Sequence, residues 1–153
     1  GTGLLLQQIA PRVGKITAVD VSPSMNAQLR AKAAEIDCEL EVLEQDLLQT
    51  PLQRQFDGII SSMTLHHIAD IPALFRQFHR MLKPGGFIAL ADLDSEDGSF
   101  HTEDTGVFHH GFERSQLSAE ARAAGFSAVQ IADVSVVQKP QGQYSVFLLC
   151  ATR

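Results

Sequence analysis

Cysteine is scarce in this 153-residue chain, with only Cys38 and Cys150. Two thiols so far apart exclude a disulfide framework and a clustered thiolate metal site, and they read as buried, reduced cysteines. Basic residues are also few. Twelve Lys and Arg stand against 18 Asp and Glu, a net charge of -6, which argues against a nucleic-acid surface built on bulk positive charge. No apolar run approaches the roughly 20 residues that span a bilayer, and no basic start leads into an apolar signal segment. Together these absences predict a cytoplasmic protein with no nucleic-acid or membrane partner. Internal repeats and low-complexity tracts are missing as well. The first residue is Gly1 rather than Met, so further chain is expected upstream. What is present, 44% apolar residues, suits one domain with a real core.

The chain alternates between two patterns. Residues 16–20 form an apolar β-type run closed by Asp20. Ser22-Pro23 reads as a helix cap followed by proline in the first turn, with Met25, Leu29, Ala33 and Ile36 at helical spacing. Strands are predicted at 40–43, 56–61 and 87–93. Asp70 and Pro72 open a helix whose Leu74, Phe75, Phe78, Met81 and Leu82 make one apolar stripe, stopped by Lys83-Pro84-Gly85-Gly86. The strand at 87–93 is almost wholly apolar, as expected when both faces are covered. A loop rich in Asp, Gly and His spans 94–111, and a helix is predicted over 115–124. Residues 128–137 and 144–151 are β-type runs joined by 138–143 with no helix between them. Alternation of strands and helices implies a doubly wound α/β fold with helices on both faces. The short final link implies a mostly parallel, mixed sheet whose last strand is antiparallel.

These segments carry Gly1-Thr2-Gly3, the run 19–25 around Asp20, Gln45-Asp46-Leu47, the run 56–62, Leu65-His66-His67 and Leu82-Lys83-Pro84-Gly85-Gly86, in that order. In this the chain resembles the class I S-adenosylmethionine-dependent methyltransferases (methyltransferase type 11/12-like) over nearly its whole length. The resemblance implies a Rossmann-like sheet with one reversed strand, S-adenosyl-L-methionine as cofactor, and transfer of a methyl group (EC 2.1.1.-). On that resemblance Gly1 and Gly3 end the glycine loop under the methionine part of the cofactor. Asp20 takes the ribose hydroxyls, and Val21 and Met25 flank the adenine. Asp46 accepts from the adenine amino group, while the Leu47 backbone N–H meets a ring nitrogen. Ser61 ends the strand beside the methionine moiety, and His66 or His67 faces the transferring methyl group. Each role has a physical basis, because an ionised acceptor suits paired hydroxyls and a buried adenine edge needs partners for its polar atoms.

The family's glycine loop follows a central strand ending in an acidic residue, and no such strand precedes Gly1 here. Residues 1–153 are therefore expected to be one N-terminally incomplete methyltransferase domain. Its sheet would lack a strand between those at 16–20 and 56–61, and such open edges favour association, including a homo-oligomer.

Methyl transfer from a sulfonium needs in-line alignment and desolvation more than a base. Candidates for a base are His66, His67, His101, Asp92 and Asp94, and at most one of the two aspartates is expected to face the pocket. His101, His109 and His110 lack the spacing of known metal sites, so no metal is predicted. The loop at 94–111 is expected to wall the acceptor site, with Phe100, His101, Phe108 and Phe112 lining it or pinning the loop down. A small-molecule acceptor is favoured, since the chain shows neither an added recognition module nor a basic surface. Two other readings are a non-catalytic methyltransferase-like domain and a nicotinamide-dependent reductase. The reductase is disfavoured because Leu6 stands where the third glycine of Gly-x-Gly-x-x-Gly would fall.

Overall fold

The computed structural model describes residues 4–103 and 106–153, and it divides into two compact units, one up to Pro51 and one from Leu52. In the first unit, helix α1 (Leu4–Ile9) precedes strand β1 (Lys15–Asp20), helix α2 (Pro23–Ala31) and strand β2 (Glu39–Glu44). β1 and β2 pair in parallel, with Lys15 opposite Glu39 and Asp20 opposite Glu44. Ser22 caps α2 as predicted, its Oγ accepting from the Met25 N–H at 3.2 Å. The expected stripe is shorter than its spacing suggested. The α-helix ends at Ala31 and a 3-10 turn follows over Ala33–Glu35. Leu29 and Ile36 are buried, while Met25 stands on the exposed side. The buried polar residue on the inner side is Asn26, whose Nδ2 donates to the Asp20 carbonyl at 3.0 Å and ties α2 to the end of β1.

In the second unit, strand β3 (Phe56–Ser62) is followed by helix α3 (Ile71–Arg80), strand β4 (Leu82–Leu93), helix α4 (Arg114–Ala123), and strands β5 (Ser127–Lys139) and β6 (Gly142–Thr152). The sheet order is β3-β4-β6-β5. β3 and β4 are parallel, and β6 runs antiparallel to both β4 and β5, so the last strand is the reversed one. The link between β5 and β6 is tighter than predicted. Lys139 already pairs with Gly142, leaving a two-residue turn at Pro140 and Gln141.

Asp70 caps α3 by accepting from the Ala73 N–H at 3.0 Å, and its stripe buries Leu74, Phe75, Phe78, Met81 and Leu82. The helix ends earlier than the expected stop, at Arg80 with Met81 as its C-cap, and Leu82 and the 83–86 segment already belong to β4, where the register shifts between Phe56 and Gly58. A Cβ at Gly58 would lie 2.4 Å from the Phe87 ring, so glycine there lets that ring cover the strand. β4 is buried along Ile88, Leu90 and Asp92, whereas Phe87 is 47% exposed, so its two faces are not equally covered. α4 begins one residue earlier than predicted, because Glu113 caps it by accepting from the Gln116 N–H at 2.9 Å. Gly125, at φ +106, ends it.

Among the described residues no strand is bonded to the second edge of β1 or of β3, the two edges expected to be open, and the strands are bonded as two sets. Both cysteines are free and half-buried rather than buried. No helix of the described residues is long and apolar enough to cross a membrane.

Candidate functional site

Gly1 and Gly3 lie outside the described residues. In the first unit the remaining expected residues gather at the carboxyl ends of β1 and β2. Asp20 ends β1, and its Oδ1 accepts from the Ser22 N–H at 2.9 Å. Burial pushes its carboxyl up, but hydrogen bonds, the Ser22 N–H among them, outweigh this and hold it below the ordinary value. Next to it Val21 is 62% exposed and Met25 36% exposed. Two apolar side chains left on the surface beside a strand-end carboxylate form a small platform that an aromatic ring can cover.

β2 carries the chain to the same edge, where the Gln45 N–H donates to the Asp20 carbonyl at 3.3 Å. Asp46 has a structural task, since its Oδ1 accepts from the Leu48 N–H at 2.9 Å and closes an Asx turn. Among the described residues nothing accepts from the Leu47 N–H, which leaves a donor at the position expected to meet a ring nitrogen.

The second unit holds the remaining expected residues. Ser61 is half-buried in β3, opposite Leu90. Beyond it Met63 takes φ +57, and its N–H donates to the Ala91 carbonyl at 2.9 Å. The reversal is held by packing of Met63 against Leu93, Phe100, Tyr144 and Val146, and it sends the chain into a 3-10 turn, Leu65–His67.

That turn separates the two histidines. His67 is exposed, with Nδ1 3.2 Å from the Gly106 carbonyl, whereas His66 is 2% exposed and faces Asp92, itself 0% exposed. His66 Nδ1 lies 2.8 Å from Asp92 Oδ1, and the His66 backbone N–H donates to Asp92 Oδ2 at 3.2 Å. The Leu93 N–H donates to the same Oδ1 at 2.7 Å. A carboxylate that takes backbone N–H groups on both oxygens acts here as an acceptor, so the proton of the 2.8 Å contact sits on Nδ1. In the neutral ring Nε2 then carries the lone pair.

The 94–111 loop folds back onto this turn. Phe108 N–H donates to the His66 carbonyl at 2.9 Å, and His109 Nε2 lies 2.8 Å from the Ile68 carbonyl. His101 comes with it, its ring centre 5.0 Å from that of His66 and 6.2 Å from that of His67. Its Nε2 is buried and has no hydrogen-bond partner among the described residues. Burial first, then the charges of His66, His67 and Lys139, hold the His101 imidazole below its ordinary pKa, with Glu96 opposing. Phe100 and Phe112 are buried and pin the loop, while Phe108 is 63% exposed.

Of the two aspartates offered as bases, Asp92 is the one turned to the histidines. Asp94 accepts from Arg114 Nε at 2.6 Å, from the second Arg114 nitrogen at 2.8 Å and from Ser145 Oγ at 2.6 Å, so it clamps the loop's start instead. The Asp92–His66 pairing and the role of Arg114 were not legible in the sequence. The sole signal was an acidic residue inside an otherwise apolar strand, which needs a buried partner.

A family model described as a methyltransferase domain matches residues 1–86. The chain belongs to that family. An uncharacterized methyltransferase of Schizosaccharomyces pombe is 32% identical to this methyltransferase-family chain over 127 residues, covering 72% of the chain and 45% of that protein. The ubiquinone biosynthesis O-methyltransferase of Pseudomonas entomophila is 25% identical over 146 residues, 86% of the chain and 63% of the enzyme. The chain thus spans about half to two thirds of the length of these relatives. The solved structure of phosphoethanolamine N-methyltransferase 2 from Haemonchus contortus in complex with S-adenosyl-L-methionine has a TM-score of 0.79 at 17% identity, covering 100% of this chain and 46% of that one. At that identity the likeness shows the fold, a Rossmann-like α/β arrangement.

Proposed function

We propose that this protein is an S-adenosyl-L-methionine-dependent methyltransferase acting on a small-molecule acceptor, with residues 1–153 serving as one cofactor-binding domain. The observation that carries the reading is the carboxyl end of β1: a strand-end carboxylate beside two exposed apolar side chains, within a family match that runs across the boundary between the two units. Asp20 is the acceptor for the ribose hydroxyls, Val21 and Met25 cover the adenine faces, and the Leu47 N–H meets a ring nitrogen. Asp46 keeps its turn through Oδ1 and offers its other oxygen to the adenine amino group, while Ser61, Gly1 and Gly3 are the residues assigned to the methionine part. The donor set fits the group, because a nucleoside needs an acceptor for two hydroxyls, an apolar slot for the base and a backbone donor for its edge. When bound, the cofactor supplies a methyl group on a sulfonium, which passes to a lone pair of the acceptor as the carbon–sulfur bond's electron pair stays on sulfur.

His66, and secondarily His67, are the residues placed toward that transfer, and the 94–111 loop forms the wall over the acceptor. The names of the relatives, an O-methyltransferase and an N-methyltransferase, support methyl transfer. A cytoplasmic location is part of the same reading. Asp20→Ala tests it: calorimetry with S-adenosylhomocysteine should show binding at least about tenfold weaker, since a charge-assisted hydrogen bond contributes roughly 1.5–3 kcal/mol. An unchanged dissociation constant would remove Asp20 from the site.

A further inference from the structure

The surroundings of His66 narrow the chemistry of the acceptor. Asp92 holds the Nδ1 proton of His66 at 2.8 Å, so Nε2 is an acceptor with no hydrogen-bond partner among the described residues. Beside it His101 Nε2 is buried and also unpartnered. An unpaired buried polar atom is costly, so the buried His101 Nε2, on the ring adjoining His66, marks a place built for a further polar group. The ring centres of His66 and His101 are 5.0 Å apart.

The charges that face the cluster select among acceptors. His67 adjoins it from the same turn, with ring centres 4.4 Å apart. From β5, Lys139 Nζ lies 3.7 Å from the centre of the Phe100 ring, and that ring stands 4.8 Å from His101. Two carboxylates oppose these: Asp92, which is engaged by His66, and Glu96, whose Oε2 accepts from the Gly98 N–H at 2.7 Å while its Oε1 is buried without a hydrogen-bond partner among the described residues. A cationic ammonium acceptor would add positive charge near Lys139. A hydroxyl adds none, and it can donate to one nitrogen while accepting from the other, which an ammonium cannot do.

We propose that Asp92 and His66 form a proton-accepting dyad for a methyl acceptor bearing an ionisable hydroxyl, and that His101 binds the same hydroxyl. The inference rests on the methyltransferase reading above. The hydroxyl's O–H bond breaks, its electron pair stays on oxygen as the nucleophilic pair, and the proton forms an N–H bond at His66 Nε2. Asp92 remains ionised and stabilises the imidazolium, acting as a positioning residue.

The test uses ¹⁵N-imidazole NMR with catechol as probe and anisole as control. His66 should show a single Nδ1–H tautomer, and Asp92→Asn should mix the tautomers. Catechol should perturb the His66 and His101 ring nitrogens, while anisole, which has no hydroxyl, leaves them unmoved. With S-adenosyl-L-methionine present, His66→Gln should lower kcat for catechol methylation at least about a hundredfold, the range of general-base contributions, and His101→Gln should mainly raise KM for catechol. S-adenosylhomocysteine binding, measured by calorimetry, reports separately on the methyltransferase reading. An Nε2–H tautomer at His66, equal perturbation by catechol and anisole, or His66→Gln kcat within about threefold of wild type would each overturn the dyad even where the cofactor binds.

Discussion

Replacing Arg114 tests how the loop over the histidines is anchored. Its guanidinium donates to both oxygens of Asp94, at 2.6 and 2.8 Å, and to Asp133 at 2.5 Å. Asp94 also takes the Ser145 hydroxyl at 2.6 Å, so one carboxylate ties the end of β4 to the start of α4 and to β6. The side chains of Arg114 and Asp94 are 34% and 23% exposed, and that of Asp133 is 86% exposed. The Asp133 contact is therefore screened and contributes little. The bidentate pair would be worth more in full burial, and discounting for exposure leaves a coupling of about 1 kcal/mol. A double-mutant cycle of Arg114→Met and Asp94→Asn, read by urea denaturation near neutral pH, measures it.

The pH dependence supplies a second check. Arg114 chiefly, and Ser145 after the opposing effect of burial, hold the Asp94 carboxyl below its ordinary value. The folded state thus releases this proton more readily than the unfolded chain does. The stabilisation is fully present above the unfolded pKa of about 3.9 and is lost as pH falls through the lower folded value. The stability gap between wild type and Arg114→Met should close on acidification toward about pH 2–3, and amide exchange at Ser95 and Glu96 should quicken in the mutant at neutral pH. A coupling under about 0.3 kcal/mol, or a gap indifferent to acid, would refute the clamp.

His101 gives a dependence at higher pH. Its pKa is lowered chiefly by burial, so the unfolded state takes up the proton first, and its contribution falls as pH drops from about 6.5 through the folded value; His101→Gln should flatten the urea-stability profile between about pH 7 and 5. Gly125→Ala forces an alanine to φ +106 with its Cβ 2.9 Å from His79 Nε2, and thermal melting should report a loss of about 1–3 kcal/mol. Phe75→Ala empties a site 1% exposed at the edge of Phe126 and should cost about 3–5 kcal/mol by the same measurement. Asp46→Ala should destabilise by about 1 kcal/mol through the lost Asx turn, and weaken S-adenosylhomocysteine binding in calorimetry less than Asp20→Ala does.

The sequence by itself determined the elements whose signals are local. Ser22 and Asp70 cap their helices because a side-chain oxygen two or three residues from an orphan N–H reaches it whatever the rest of the chain does. Leu74, Phe75 and Phe78 are buried because their period matches one helix face. The reversed last strand followed from a link too short for a crossover. Asp20 at a strand end beside Val21 and Met25 was legible for the same reason, all three lying within six residues. Contacts between residues distant in sequence were decided by the tertiary structure. Asp92 and Asp94 differ by two positions and read alike, yet one meets His66 across 26 residues and the other Arg114 across 20. His66 and His67 are adjacent and chemically identical, and only the left-handed turn at Met63 and the docking of the 94–111 loop bury one and expose the other. A spacing rule reports what a short segment can reach, whereas the burial that gives a carboxylate or an imidazole its chemistry depends on which strand and loop the fold brings against it.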